Sequence, residues 1–430
     1  MEIRLEDVAL FETNEIGTSS AFLALAIVTG VSAALTAFCL TNWKSCFGSC
    51  PTFYASDGSE MVLQAEGFSD SVAPSLEATD IDALSRSHPT ERNFKLEMTN
   101  EALETHVVRS VRILAVPKGA GGTVLRTPKD TFLRATSLRS PSACASETGS
   151  CLPRVVAADG DEWFRPANDE DLGRREEVQL EFNVPAPRPG AEPRRHALVL
   201  TARQSLLSTF VLYQGLAFMG TEASTWLAAL ETERASSLKD ARSMLDALGG
   251  IEVEVRGDDG TWRTVGEARE TGPLAVDTHA VPLPEGTDAR HVRLRLTQGH
   301  WRIDRIALAE VADAAAPVPL TPTRIRGEVS RGFAPSRKPA TAFPLVTLPG
   351  DRYALEFELP EHPERYDLFV ESRGYYLEWM RKEWMREENP ARALEMVMTP
   401  EAALRSLAPA YKKLEASMER AFWGSRYAAP

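Results

Sequence analysis

The side chains best equipped for chemistry are five cysteines and seven histidines. Cys46 and Cys50 have three residues between them in CFGSC, and Cys144 and Cys151 have six between them in CASETGSC. Close pairs beside Gly and Ser bridge readily in an oxidising compartment. The four thiols lack the repeated C-x2-C knuckle of a zinc site, so disulfides are expected and a metal is not. In NEALETH (100–106), Glu101, Glu104 and His106 are residue types that could pass a proton as acid and base. Without a nucleophile beside them, they read as a polar turn leading into a strand.

Other chemistry-bearing stretches read as structure. The acidic segment 159–172 (DGDEWFRPANDEDL) could attract calcium, yet it lacks the EF-hand ligand register and reads as a solvated loop. KGAGGT (118–123) is glycine-rich but lies where the chain turns, not where a phosphate is cradled. The chain holds no H-E-x-x-H, no G-x-S-x-G elbow, no Walker loop, no kinase set and no C-x-x-C-H haem motif. The expectation is a non-enzymatic protein with no catalytic, cofactor-binding or metal-binding residues and no cofactor. A net charge of −13 with no dense Lys/Arg tract argues against nucleic acid as a partner.

The elements around these residues start with twenty uncharged residues, 21–40, a length that lets a helix cross a bilayer. Within it Ala24, Gly30, Ala33, Ala34 and Ala37 are small enough for close helix packing in a membrane, and Trp43 with Lys44 follows as an interfacial anchor. The preceding segment 1–20 carries five acidic residues against Arg4 alone, opposite to the basic start of a secretory signal. A retained transmembrane helix is therefore expected, and the cysteine pairs place the bulk of the chain in an oxidising, periplasmic compartment.

The expected fold class is α+β, with one N-terminal transmembrane helix, a β-sandwich-like body carrying a helical insert, a small second β-module and an α-helical C-terminus. A β-rich domain spans 41–248: a hairpin around Asp57-Gly58, strands at 106–116, 178–184 and 196–202, and helical periodicity over 205–248. Period-two alternation returns over 249–311 as a small β-module. Residues 312–352 are Pro-rich and read as an extended linker, and 353–430 as a strand followed by helices. In the first of those helices, near 373–386, Tyr376 and Trp384 share one stripe and Tyr375 and Trp379 an adjacent one, a face that could contact a partner.

Read together, SCFGSCPTFYASDG, LEATDIDAL, NEALETH and SRGYYLEWMR resemble an uncharacterised family of single-span bacterial membrane proteins with a CP-[FT]-x-Y-x-x-DG hairpin. More narrowly, the chain is similar to the accessory, pigment-free subunit of a bacterial photosynthetic reaction-centre and light-harvesting complex. The resemblance implies a scaffold subunit in the inner or intracytoplasmic membrane, with integral membrane proteins and the lipid bilayer as its partners. The alternative is a free-standing envelope binding protein whose β-module holds a glycan or small ligand through Trp262 and Trp301.

Overall fold

The computed structural model describes residues 50–425 apart from 73, 120–121, 186–193, 224–246, 258, 270–271, 315, 332–335 and 381. The chain begins as a hairpin, Thr52–Ser56 and Met61–Glu66, because Gly58 takes a positive φ of 102° and the Asp57 carboxylate accepts from the Ser59 and Glu60 amides at 2.9 and 3.1 Å. The hairpin belongs to a five-stranded sheet in the order Arg324–Glu328, Arg352–Glu358, Asn93–Thr99, Thr52–Ser56, Met61–Glu66. A second sheet faces it, in the order Val318–Leu320, Glu104–Pro117, Tyr366–Glu378, Ala78–Ala83, with Leu345–Thr347 also paired to Glu104–Pro117. Phe53, Leu96 and Phe357 of one sheet and Val108, Ile113 and Val370 of the other share the core between them. This sandwich is a frame made from two segments far apart in the chain, 52–117 and 318–378.

Between Pro117 and Val318 the chain leaves the frame and builds a second unit. Strands Thr123–Arg126, Phe132–Arg139, Trp301–Asp313, His196–Gln204 and Asp277–Pro282 close into a five-stranded barrel, because Phe132–Arg139 pairs with both Thr123–Arg126 and Trp301–Asp313. Five strands enclose little space, so the interior is filled largely by small residues: Ala135, Ala197, Ala280, Ala307 and Ala309. Their neighbours along the same strands, Leu198, Leu200, Ile306 and Leu308, point outward. They pack against another sheet, ordered Trp262–Ala268, Ile251–Arg256, His291–Thr297, Arg175–Glu181, Ala143–Ser146, Gly149–Ser150. Both faces of the barrel strands are thereby buried.

A small helical layer completes the molecule. Helix α1 (Leu207–Met219) follows strand His196–Gln204, and the chain beyond the frame forms α2 (Lys382–Met385), α3 (Pro390–Met398) and α4 (Pro400–Ser425). The Asn389 side chain accepts from the Arg392 amide at 3.2 Å and Pro390 supplies a preset φ, together starting α3. Phe210 and Tyr213 of α1 meet Tyr411 of α4 and Trp384 of α2, with ring centroids 5.2 and 4.8 Å apart.

The structure corrects the expected architecture. The fold is mostly β, 44% strand and 18% helical, and contains a barrel, rather than α+β. Among the described residues no helix is long and apolar enough to cross a membrane. The longest, α4, carries Arg405, Lys412, Glu415 and Glu419 along its length. The segment 21–40 with Ala24, Gly30, Ala33, Ala34 and Ala37, and also Trp43 and Cys46, lies outside the described residues. The single-pass inner-membrane, periplasmic and photosynthetic assignments therefore have no support from the fold and are withdrawn.

Tyr375 and Tyr376 lie not on a helix but on the 13-residue strand Tyr366–Glu378. That strand is central in its sheet and covered on both faces, so it shows no polar alternation and its aromatics mimic a helical stripe. Segment 312–352 supplies three short strands to the frame, and 249–311 shares its sheets with strands from 123–204.

Candidate functional site

Of the residues singled out for acid and base chemistry, two meet. Glu104 and His106 are two apart on one strand and so share a face, where His106 Nε2 lies 2.7 Å from Glu104 Oε1. Both are 0% exposed. Across the ladder Tyr376 stands opposite His106, and Glu378 opposite Glu104. Burial pushes the Tyr376 hydroxyl well above its ordinary pKa, and Cys50, Glu104, Glu378 and Tyr213 add to the rise. Its hydroxyl donates to the Ser69 carbonyl at 3.0 Å, and the Tyr213 hydroxyl donates to Glu378 at 3.4 Å. Thiol, imidazole, carboxylates and phenols thus gather where the frame meets α1, enclosed by the described body. Glu101 points elsewhere and accepts from the Tyr54 and Thr99 hydroxyls at 2.8 and 2.9 Å.

A second buried polar cluster lies between frame and barrel. Arg126 donates to Asp277 at 2.8 Å, His279 lies 3.2 Å from the same carboxylate, and Asp277 accepts from the Ala83 amide of the frame at 3.1 Å. Burial opposes the Arg126 charge, but Asp277, Asp82 and Asp80 outweigh it and raise the guanidinium pKa. Burial likewise pushes Asp277 up, and His279 with Arg126 overcomes it and holds the carboxyl below its usual range. Glu66 of the frame reaches across to accept from the Leu274 amide at 2.8 Å. Apolar contact runs alongside, with Phe132 of the barrel 4.8 Å from Phe369 of the frame between ring centroids.

The third site is an open groove of about 490 Å³ on the frame. Its floor is Ser110, Val111 and Arg112, midway along Glu104–Pro117; one wall is the stretch around Thr323 and Arg324, the other the stretch around Ala342 and Phe343. Arg112 is ion-paired to Glu371 with Nε 2.6 Å from Oε1, while Arg324 is exposed. No acid is among the lining residues. The groove exists because the chain leaves the second sheet after Val318–Leu320, crosses to the first sheet as Arg324–Glu328, and returns as Leu345–Thr347.

The remaining residues of interest are dispersed. Cys144 and Cys151 form a disulfide with Cα atoms 5.2 Å apart; Cys50 is buried. Tyr375 and Trp384 are each 1% exposed, and the Trp379 indole donates to the Thr105 hydroxyl at 2.9 Å. These aromatics sit within the protein's own packing. Trp301 is core between barrel and sheet, and Trp262 lies under the Arg293 guanidinium, 4.8 Å from the ring centroid. In the acidic segment, Glu162 pairs with Arg203 at 2.6 Å, and Asp304 accepts from the Gly160 amide at 2.9 Å. Among the described residues no group of three or more His, Cys, Asp or Glu is placed to hold a metal.

Sequence reasoning passed over the groove and the Arg126 cluster, because each depends on pairings between segments far apart in the chain. The chain matches no protein-family model, no curated protein and no solved structure.

Proposed function

We propose that the protein is a non-catalytic scaffold, a stiff β-body that holds a partner protein in a fixed position. The observation that carries this reading is the locking of the inserted unit to the frame by the buried Arg126–Asp277 pair and its frame neighbours Asp80, Asp82 and Ala83. Breaking such a pair is costly, so relative motion of the two units is disfavoured. The C-terminal segment adds a second tie. Glu419 of α4 is paired with Arg203 and Arg302 of the inserted unit, each at 2.7 Å, and the Lys412 ammonium donates to the Ala167 carbonyl at 2.7 Å. Enzymes that close on substrate draw their moving parts from weakly held regions. Here a buried ion pair lies where the frame meets the inserted unit, as suits a brace.

The test is cross-linking in intact cells, followed by purification of the full chain and native mass spectrometry. The expected result is a heteromeric assembly of fixed stoichiometry that persists in physiological salt. A monomer without cross-linked partners, or one that turns over a substrate through the Glu104–His106 pair, overturns the proposal.

A further inference from the structure

Strand Glu104–Pro117 is paired along one side by Tyr366–Glu378, with a bulge at Arg109. On its other side, Leu345–Thr347 covers residues 106–108 and Val318–Leu320 covers 113–115. Between them residues 109–112 have no strand opposite them, and among the described residues no other backbone hydrogen bond reaches them from that side. The open stretch is the floor of the groove. At about 3.3 Å per residue it is roughly 13 Å long, the span of four residues of extended chain. An uncovered ladder edge is a template for another strand.

The walls indicate what that strand carries. Arg112 is already neutralised by Glu371, whereas Arg324 is exposed on the rim and no acid lines the groove. The site is thus locally cationic on a chain of net charge −13. Ser110, Thr321 and Thr341 add hydroxyls, and Phe343 offers a half-buried ring.

We infer that this gap is a docking site for a short extended segment of a partner protein, bearing an acidic side chain that meets Arg324 and completing the sheet between Val318–Leu320 and Leu345–Thr347. The segment binds by backbone hydrogen bonds to alternate residues of 109–112, with one carboxylate fixing register. This rests on the scaffold reading and names the chemistry of its partner.

A phage library of random heptapeptides, selected in parallel on the full chain and on Ala342→Trp, tests it. Ala342 is exposed on the rim and lines the groove, so the bulk of an indole there is expected to obstruct it. The expected result is a set of proline-free, Asp/Glu-containing peptides enriched at least about tenfold on the unmodified protein. Methylating the central amides of a synthetic winner should weaken it by about tenfold, since each methyl group removes a backbone hydrogen bond to the strand edge. Arg324→Glu should shift selection towards Lys and Arg. Equal enrichment on Ala342→Trp, undiminished binding of the methylated peptide, or an unchanged preference with Arg324→Glu overturns the inference. A partner cross-linked elsewhere, with no peptide selected at the groove, removes this inference and leaves the scaffold reading. Cleavage of selected peptides by the protein removes the scaffold reading and leaves the site.

Discussion

Glu176 faces inward from strand Arg175–Glu181, where the alternate positions Val178 and Leu180 are core. Burial raises its carboxyl to about 7, Arg165 at 3.7 Å opposes the rise, and Glu147 adds to it. The folded protein therefore holds a proton that the unfolded chain releases near 4.5. The resulting stabilisation is present at low pH and is lost as pH climbs through about 7. Glu176→Gln should match the unmodified protein at pH 5 and melt about 2 °C higher at pH 8 in calorimetry. His300 has the opposite sign: burial, with Arg175 beside it, lowers its pKa to about 3. Unfolding takes up a proton below about 6.5, so stability falls with acid from that point, and His300→Gln should flatten the fall between pH 6 and 4. The Cys144–Cys151 bridge closes a loop with a sequence separation of 7. Cys144→Ser with Cys151→Ser should cost about 2 kcal/mol in denaturant unfolding.

At the scale of elements, the barrel strands were the easiest to find and the hardest to place. HALVLTA and RIALAEV are β-branched or alternating, and both are strands. Nothing in either says that Ala197, Ala307 and Ala309 line a narrow interior while Leu198 and Leu308 meet another sheet, because size, not polarity, separates the two faces. Ala307→Leu should cost about 1–3 kcal/mol by overpacking, measured by urea unfolding, whereas an Ala outside a core would tolerate the change. In Tyr366–Glu378 apolar side chains occupy both faces, and a period of two cannot be read where neither face is wet. The groove was illegible for a related reason. Residues 110–112 lie in a stretch read as strand, but the break in its edge is made by Val318–Leu320 and Leu345–Thr347, whose short runs sit among prolines and look like a linker.

At the scale of the whole molecule, insertion of the barrel unit into the frame and the return of α4 over α1 bind three parts into one. Arg126→Met should lower stability by about 3–5 kcal/mol, because the buried Asp277 loses both the charge and the hydrogen bond of Arg126. In hydrogen exchange, the variant should lose protection first at Ala83 and Leu274, the amides that cross the joint. Arg126→Met combined with Asp277→Leu should recover much of the loss. Recovery would show that the pair's role is the fit of the joint and not its charge.

The sequence by itself determined the local grammar: the Asp57-Gly58 hairpin, the alternating strands and two cysteines close enough to bridge. These depend on φ preferences, side-chain period and short chain separation, all written within a few residues of one another. Only the tertiary structure decided that Glu104 and His106 are enclosed, that Tyr375 and Trp384 are core, that Arg126 joins two units and that residues 109–112 lie at an open edge. Those outcomes depend on which distant strand lies alongside, and where segments 52–117 and 318–378 build one sandwich around an inserted barrel, that partner is set by long-range pairing.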